Sequence, residues 1–209
     1  MSRLDLQKCI VGSVFTNCYF LKNKETGEML IIDPGDNAEK IEQKILEMQG
    51  KPVAILLTHG HFDHATGAGE LAQLLHIKIY AQEKEKETLE NSQLNLSGWQ
   101  GSELVFYADE YLKDEQEINL AGFHIRVFLT PGHTVGGCCY YFPYQNTLFS
   151  GDSLFQTSIG RTDFPKGSAS QLIHAIREKL MPLPDETAVY TGHGDMTTIG
   201  TERMYNPYL

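Results

Sequence analysis

The chain alternates apolar runs with polar segments in a pattern that predicts strands and helices in turn. Three strands are predicted first, over residues 4–11, 17–22 and 28–33. Met29-Leu30-Ile31-Ile32 is continuously apolar, which favours a strand that is buried on both faces. The next segment predicts a helix that Asp36 or Asn37 caps and Gly50 closes. The first fifty residues therefore predict strands followed by one amphipathic helix.

The middle of the chain continues this alternation. The apolar run over 53–57 predicts another buried strand, and the small and leucine-rich segment 65–75 predicts a helix packed closely on the sheet. A short strand is predicted at 77–80. Residues 83–91 are charged and helix-prone, which is typical of a solvated helix face. Residues 91–113 show no clear period and predict a long loop, a kind of segment that is usually functional in a compact domain.

The last part of the chain predicts strand pairs and one helix. Phe123, Ile125 and Val127 alternate with polar residues, which is typical of a strand with one buried face. The predicted elements are a hairpin over 117–129, a strand pair over 138–142 and 147–150, a helix over 168–181, and a short strand over 188–191.

A dense group of metal-ligand side chains follows the buried strand at 53–57. The segment Thr58-His59-Gly60-His61-Phe62-Asp63-His64 holds three of the eight histidines of the chain beside a carboxylate. Neutral imidazole and carboxylate suit zinc and iron(II). A histidine-rich surface loop is the alternative, and this concentration of donors disfavours it.

The same arrangement recurs after three later strands. Each strand is followed by glycine or another small residue and then by a ligand-type side chain, namely His133, Asp152 and His193. Strand ends that each present one ligand imply that the sheets converge on a common edge. Asp33 also ends a strand, and the sequence leaves open whether it orients a ligand histidine or only forms a turn. His76, His124 and His174 lie outside this pattern and are interpreted as ordinary surface or core histidines.

Composition and charge disfavour some classes of partner and some cellular locations. The net charge of −10 over 209 residues disfavours a general nucleic-acid surface but permits a small anionic substrate beside one local cation. No stretch reaches the about 18 apolar residues of a membrane span, and residues 1–8 carry charges where a signal peptide is apolar. We therefore expect a cytoplasmic protein without membrane contact. The four cysteines lack CxxC spacing and are expected to be free thiols.

The order of these motifs resembles a known family. T-H-x-H-x-D-H, P-G-H-T, G-D and G-H-G, in that order along nearly the whole chain, are similar to the motifs of the metallo-β-lactamase superfamily. The resemblance implies an α/β fold, a four-layer αβ/βα sandwich of two mixed β-sheets flanked by helices, with the metal site at one edge. We expect one such domain over residues 1–209.

The resemblance also assigns the ligands. It implies that one metal is held by His59, His61 and His133, that a second is held by Asp63, His64 and His193, and that Asp152 bridges them. The resemblance also implies that Asp63 and Asp152, as metal ligands, position a hydroxide between the two metals. The implied cofactors are two divalent metal ions, with zinc favoured and iron or a mixed zinc–iron pair as alternatives.

A further segment points to a branch of the family. Ser158-Ile159-Gly160-Arg161-Thr162-Asp163-Phe164 resembles glyoxalase II-like proteins, in which a basic residue near this place contacts the thiol-derived part of the substrate. Arg161 is the candidate for that contact, and pairing with Asp163 is its structural alternative. Glyoxalase II proper has a C-terminal helical domain after the last histidine, whereas this sequence ends at Leu209. Glutathione specificity is therefore not implied.

Several functions remain open on this evidence. The favoured one is hydrolysis of a thioester similar to S-lactoylglutathione by a binuclear metal-dependent hydrolase. The alternative is a mononuclear iron persulfide dioxygenase, in which His59, His133 and Asp152 form a facial triad. A nuclease of the same fold and a non-catalytic metal-binding protein are less favoured. The expected partner is a small thioester or thiol derivative, and the sequence does not decide between monomer and homodimer.

Overall fold

The computed structural model describes residues 4–209, so Met1, Ser2 and Arg3, which entered the signal-peptide argument, lie outside the described residues. One sheet contains the first six strands in chain order. They are β1 (Leu4–Val11), β2 (Thr16–Asn23), β3 (Glu28–Ile32), β4 (Lys51–Leu56), β5 (Lys78–Gln82) and β6 (Glu110–Leu112). The first three strands pair antiparallel and the last four pair parallel, so the sheet is mixed.

Four helices belong to this half of the chain. They are α1 (Ala38–Met48), α2 (Phe62–Ala65), α3 (Ala68–Leu75) and α4 (Lys86–Leu89), and a 3₁₀ turn at Glu83–Glu85 precedes the last of them.

The second sheet contains six strands of the other half. They are β7 (Glu117–Leu120), β8 (Phe123–Leu129), β9 (Cys138–Phe142), β10 (Thr147–Gly151), β13 (Ala188–Thr191) and β14 (Thr197–Thr198), in the order β14-β13-β10-β9-β8-β7. A two-stranded ribbon, β11 (Leu154–Phe155) paired with β12 (Ser158–Ile159), lies between β10 and β13 in sequence. The remaining helices are α5 (Ala169–Ala175), which continues as a π turn over Ile176–Leu180, and α6 (Ile199–Tyr205).

The alternation of side chains along β3 explains how the layers pack. Leu30 and Ile32 pack in the cluster between the two sheets with Phe123 and Tyr140, whereas Met29 and Ile31 pack in the cluster that holds residues of α1 and α3. A third apolar cluster joins the second sheet to α5 and α6. The predicted fold, two mixed sheets face to face with helices outside, is therefore confirmed.

Some local predictions were wrong. The helix predicted over 65–75 is two helices that separate at Thr66 and Gly67, and the loop predicted over 91–113 contains β6 and a 3₁₀ turn at Gly98–Gln100. Helix α1 ends in a left-handed residue at Gln49, with φ of 50°, one position before the expected Gly50. Residues 83–91 are not simply a solvated face, because Glu85, Thr88 and Leu89 are buried.

Two predictions from composition can be compared with the structure. All four cysteines are free; Cys9 is partly buried, and Cys18, Cys138 and Cys139 are fully buried. None of the helices within residues 4–209 combines the length and the apolar character needed to cross a membrane.

Candidate metal centre

Three histidines converge where β4 and β8 end. We call His59, His61 and His133 the tri-histidine group. The Nδ1 atom of His61 lies 3.1 Å from Nε2 of His59 and 2.9 Å from Nε2 of His133. All three side chains are buried. Three ring nitrogens this close together can be ligands of a single metal ion.

A second group of donors lies beside the first. We call Asp63, His64 and His193 the carboxylate group. The Oδ2 atom of Asp63 lies 3.3 Å from Nε2 of His64 and 3.3 Å from Nε2 of His193. The two imidazole nitrogens are also 3.3 Å apart. His193 follows β13, so this group joins the first half of the chain to its last strands.

Asp152 lies between the two groups. Its Oδ2 atom is 3.4 Å from Nε2 of His133 and 3.5 Å from Nε2 of His193, and its Oδ1 atom is 3.4 Å from Nε2 of His64. One carboxylate therefore faces ligand atoms of both groups.

The donor set fits a pair of divalent cations. Oδ1 of Asp152 is buried and has no hydrogen-bond partner within the described part of the chain. A buried carboxylate oxygen without a hydrogen bond is costly unless a cation lies beside it, and the contact with His64 at 3.4 Å leaves room for a directly bound one. Imidazole and carboxylate are also the ligand types that zinc and iron accept. The structure thus brings all seven predicted ligands together, and their binding of metal stays a prediction.

Hydrogen bonds from outside the seven donors fix the carboxylate group. Asp33 accepts from the amide and the hydroxyl of Thr58, at 2.8 and 2.7 Å, and its Oδ2 atom lies 2.9 Å from Nδ1 of His64. The hydroxyl of Thr16 donates to Oδ2 of Asp63 at 2.7 Å. The question left open by the sequence is answered for Asp33, because its carboxylate orients a histidine of the site.

The backbone around His193 is held by residues that the sequence did not single out. The backbone N–H of Asn17 donates to the carbonyl of Gly192, and its side-chain amide donates to the carbonyls of Thr191 and Gly194. Asn17 is the second residue of β2, some 170 positions before His193. No local pattern in the sequence indicates this contact, because only the folded chain brings the two segments together.

A glycine beside a ligand permits the close approach expected from the sequence. A Cβ atom at Gly192 would lie 2.1 Å from Oδ1 of Asp152 and 2.8 Å from Cε1 of His64. Any side chain at this position would displace both ligands, so the first glycine of the G-H-G motif allows the donors to pack closely.

The two groups differ in charge. Burial, together with the neighbouring histidines, lowers the pKa of His59 and His61 well below the usual value, and burial also lowers the pKa of His133. Burial opposes a charge on His64 as well, but Asp63, Asp152 and Asp33 raise its pKa to about 10. The tri-histidine group is therefore neutral near pH 7, whereas His64 carries a proton when no metal is bound.

An open cavity of about 500 Å³ gives access to the donors. Its walls include Leu96, Trp99 and Gln100 from the long loop after α4, together with Phe155 and Phe164. The ring of Phe164 contacts the rings of His61 and His133 edge to face. The predicted loop over 91–113 thus contributes a largely apolar wall beside the site.

Arg161 lines the cavity and pairs with Asp163. Its side chain lines the cavity, and its guanidinium lies 4.3 Å from the centre of the Phe164 ring. It also donates to both carboxylate oxygens of Asp163, at 2.9 and 2.7 Å. In addition its backbone carbonyl lies 2.8 Å from Nδ1 of His133. The pairing with Asp163 is present, and contact with a substrate stays a prediction.

The three histidines outside the motif lie away from these donors. His76 ends α3 in a left-handed conformation, His124 contacts Asn119 on the neighbouring strand, and His174 pairs with Glu178 on the surface of α5. Their interpretation as ordinary histidines agrees with these positions.

The proteins that this chain is similar to agree with the geometry of the site. The family model of the metallo-β-lactamase superfamily matches residues 11–193. A protein named probable metallo-hydrolase YqgX, from Bacillus subtilis, is 41% identical over 95% of this chain and 94% of its own length. A protein named hydroxyacylglutathione hydrolase GloC, from Haemophilus influenzae, is 40% identical over 92% of each chain.

Solved structures agree with this result. A crystal structure described as the BLEG-1 B3 metallo-β-lactamase is 40% identical, with a TM-score of 0.93 over 98% of this chain and 99% of its own. TTHA1623 in a di-iron-bound form is 33% identical, with a TM-score of 0.84 over 97% of this chain and 100% of its own. ETHE1 from Myxococcus xanthus is 26% identical, with a TM-score of 0.80 over 97% of this chain and 83% of its own.

The matched family model covers most of the chain, and the ligand motifs that it would require lie together at one sheet edge. The resemblance seen in the sequence is therefore confirmed. This chain belongs to the metallo-β-lactamase superfamily and is a metal-dependent hydrolase of that family.

Proposed function

We propose that this protein is a binuclear hydrolase of the glyoxalase II-like type, which cleaves a small thioester. The observation that carries the proposal is the position of Asp152, whose two oxygens face the tri-histidine group and the carboxylate group from a single side chain. The relative named hydroxyacylglutathione hydrolase supports this choice of substrate class.

The protein side chains have distinct parts in this reaction. The tri-histidine group would hold one divalent ion and the carboxylate group the other, with Asp152 between them. Such a metal pair supplies a water of lowered pKa and polarises a carbonyl oxygen. Because Asp63 and Asp152 serve as ligands, neither is a free general base. Asp33 keeps the ring of His64 directed at the site through its contact with Nδ1.

The cavity wall suggests where the substrate lies. Trp99, Phe155 and Phe164 offer apolar surface, which would contact an acyl or thiol chain and reduce the water near the scissile bond. Among residues 4–209, Arg161 is the one arginine or lysine that lines the cavity, so it is the candidate contact for a carboxylate of the substrate. A thiolate is a good leaving group because the pKa of its conjugate thiol is only about 8.5.

The proposal is tested with protein purified without added metal. Elemental analysis should find two metal ions per chain, and the same preparation should cleave S-lactoylglutathione or a chromogenic thioester. Activity should disappear on chelation and return with zinc or iron. Thioester cleavage that continues unchanged after complete removal of metal would refute the proposal.

A persulfide dioxygenase is the second candidate, favoured by the similarity to ETHE1 and by the His59, His133 and Asp152 donors. The di-iron form of TTHA1623 agrees with iron as one possible metal. One iron per chain with oxygen consumption in the presence of a persulfide would favour this second function. Two metals with thioester cleavage in the absence of oxygen would favour the hydrolase.

A further inference from the structure

A buried carboxylate lies behind the tri-histidine group without belonging to it. Glu85 closes the short 3₁₀ turn before α4 and is only 1% exposed. Its neighbours Glu83, Lys84 and Lys86 are exposed. Because a buried carboxylate is rare unless its oxygens are satisfied, its partners indicate why it is there.

The carboxylate of Glu85 accepts hydrogen bonds from both loops that carry the tri-histidine group. Its Oε1 atom accepts from the amide of Gly60 at 2.8 Å, and Gly60 stands between His59 and His61. Its Oε2 atom accepts from the hydroxyl of Thr134 at 2.9 Å and from the amide of Gly136 at 2.7 Å. One oxygen therefore holds the first loop, and the other holds the loop that follows His133.

Close packing accompanies these hydrogen bonds. A Cβ atom at Gly60 would lie 3.1 Å from the side chain of Leu89, and one at Gly136 would lie 2.1 Å from the backbone nitrogen of Glu85. The two loops thus rest directly on the helical segment 83–89, and that segment sets the distance between them.

We propose that Glu85 is a positioning residue, which fixes the separation of the His59–His61 loop and the His133 loop and thereby prepares the tri-histidine group for its metal. It touches no ligand nitrogen and acts only through the backbone and the Thr134 hydroxyl. The inference rests on the proposed metal pair but does not depend on the substrate.

The carboxylate group has a different support. His64 is oriented by Asp33 and Asp63 by Thr16, and neither contact involves Glu85. Loss of Glu85 should therefore weaken one group of ligands and leave the other nearly unchanged. This selectivity separates a positioning role from a general contribution to folding.

Glu85→Gln is the main test, because the amide keeps the shape but replaces one acceptor oxygen with a donor. One of the two loops then faces an N–H group where it needs an acceptor. We expect zinc affinity at the tri-histidine group, measured by competition with a chromophoric chelator, to fall by about 10–100-fold. Glu83→Gln, an exposed glutamate in the same turn, is the matched control and should behave as the wild type.

Nitrogen NMR of the histidine rings locates the zinc. In the wild type the first equivalent should shift Nε2 of His59, Nδ1 of His61 and Nε2 of His133. In Glu85→Gln the shifts of these three rings should require about 10–100-fold more free zinc, whereas those of His64 and His193 should appear at the same free zinc concentration as in the wild type. Equal zinc affinity at the tri-histidine group in Glu85→Gln and Glu83→Gln, or an equal loss at both groups, would overturn the inference.

Thr134→Val provides an independent test if Glu85→Gln does not fold. Thr134→Val removes one of the three hydrogen bonds between Glu85 and the two loops, so the loss of zinc affinity should be smaller but confined to the same group. Thr134→Ser restores the hydroxyl and should restore the affinity; failure of that rescue, or no effect of Thr134→Val, would count against the proposal. Thioester turnover does not enter these measurements, so a wild-type protein that binds zinc but cleaves no thioester would refute only the proposed hydrolase.

Discussion

The two groups of ligands are built by different means. The tri-histidine group is buried and neutral, and its loops are held through backbone amides. The carboxylate group is more open, since the His193 side chain is 29% exposed, and it is held by side-chain hydrogen bonds from Asp33 and Thr16. His64 of this group also forms ion pairs with the carboxylates of Asp33, Asp63 and Asp152.

This difference predicts that the groups load metal unequally. A neutral, prearranged set of nitrogens accepts a cation without losing protons or ordering side chains. The carboxylate group must first release the proton of His64, and it exchanges existing ion pairs for bonds to the metal. We therefore expect the tri-histidine group to bind its metal first and to retain it longer.

The largest effect is expected when a ligand is removed from the group that loads first. His59→Ala should lower bound metal and reduce turnover to below about one hundredth of the wild type, because changes outside the ligand shell alone cost about 10–100-fold. Metal analysis and steady-state kinetics check this result. His193→Ala is the comparison, and it should retain one metal per chain. Full activity with unchanged metal content in His59→Ala would refute the ligand assignment.

A smaller effect is expected when the support of the carboxylate group is changed. Asp33→Asn weakens the acceptor of one contact with His64 and two with Thr58, so zinc affinity at the carboxylate group should fall by about 10–100-fold. A smaller loss is expected at the tri-histidine group, because the Thr58 hydroxyl lies 3.2 Å from Nδ1 of His59. Unfolding of the metal-free protein should be easier by about 1–3 kcal/mol, since buried partners lose their bond. Asp36→Asn, on the exposed turn nearby, is the control. A loss confined to the tri-histidine group would reverse the comparison.

The pH dependence of zinc binding should also separate the groups. The raised pKa of His64, about 10, means that zinc displaces a proton from it throughout the range from pH 6.5 to 8. Affinity at the carboxylate group should thus rise by about tenfold for each pH unit, and more steeply where His193, whose pKa Asp63 and Asp152 also raise, is still protonated. The lowered pKa values of His59, His61 and His133 predict little change at the other group. Calorimetry in buffers of different ionisation enthalpy counts the protons released, and equal release at both steps would contradict the difference.

The smallest effect is expected at the cavity wall, outside both groups. Trp99→Ala should raise KM by about three- to tenfold with little change in kcat, because it removes aromatic contact with the substrate worth about 0.7–1.4 kcal/mol. Tyr107→Ala, another exposed aromatic residue of the same long loop, should leave KM unchanged. Equal effects of the two variants would argue against a substrate-facing wall.

Much of the fold and of the ligand set could be predicted from sequence because the signals are local. The buried strands are continuous apolar runs, and His59, His133, Asp152 and His193 each follow a strand beside a glycine or another small residue. The division of the seven donors between two metals came from the family resemblance. The position of Asp33 at the end of a strand indicated that it can orient a ligand histidine, but not that this histidine is His64. Strand β6 was missed because three residues, Glu110–Leu112, are too few to show a period.

Glu85 and Asn17 could not be found in this way, because their roles depend on contacts across the chain. Glu85 lies in a run of charged residues and looks like its exposed neighbours, yet its partners Thr134 and Gly136 are 49 and 51 positions away. Asn17 is an ordinary polar residue at the start of a strand until the loop of His193 folds against it. Only the tertiary structure distinguishes such residues from surface positions.

The link between Asn17 and the loop of His193 has a consequence for the order in which the protein matures during translation. Segments 16–17 and 191–194 meet at one point of the site, so the ribosome must release almost the whole chain before the carboxylate group can close. The ligands of the tri-histidine group lie within residues 59–133, and the backbone carbonyl that contacts Nδ1 of His133 belongs to Arg161, which also precedes the final strands. A nascent chain could therefore capture its first ion well before synthesis ends, while the second has to wait for the final strands.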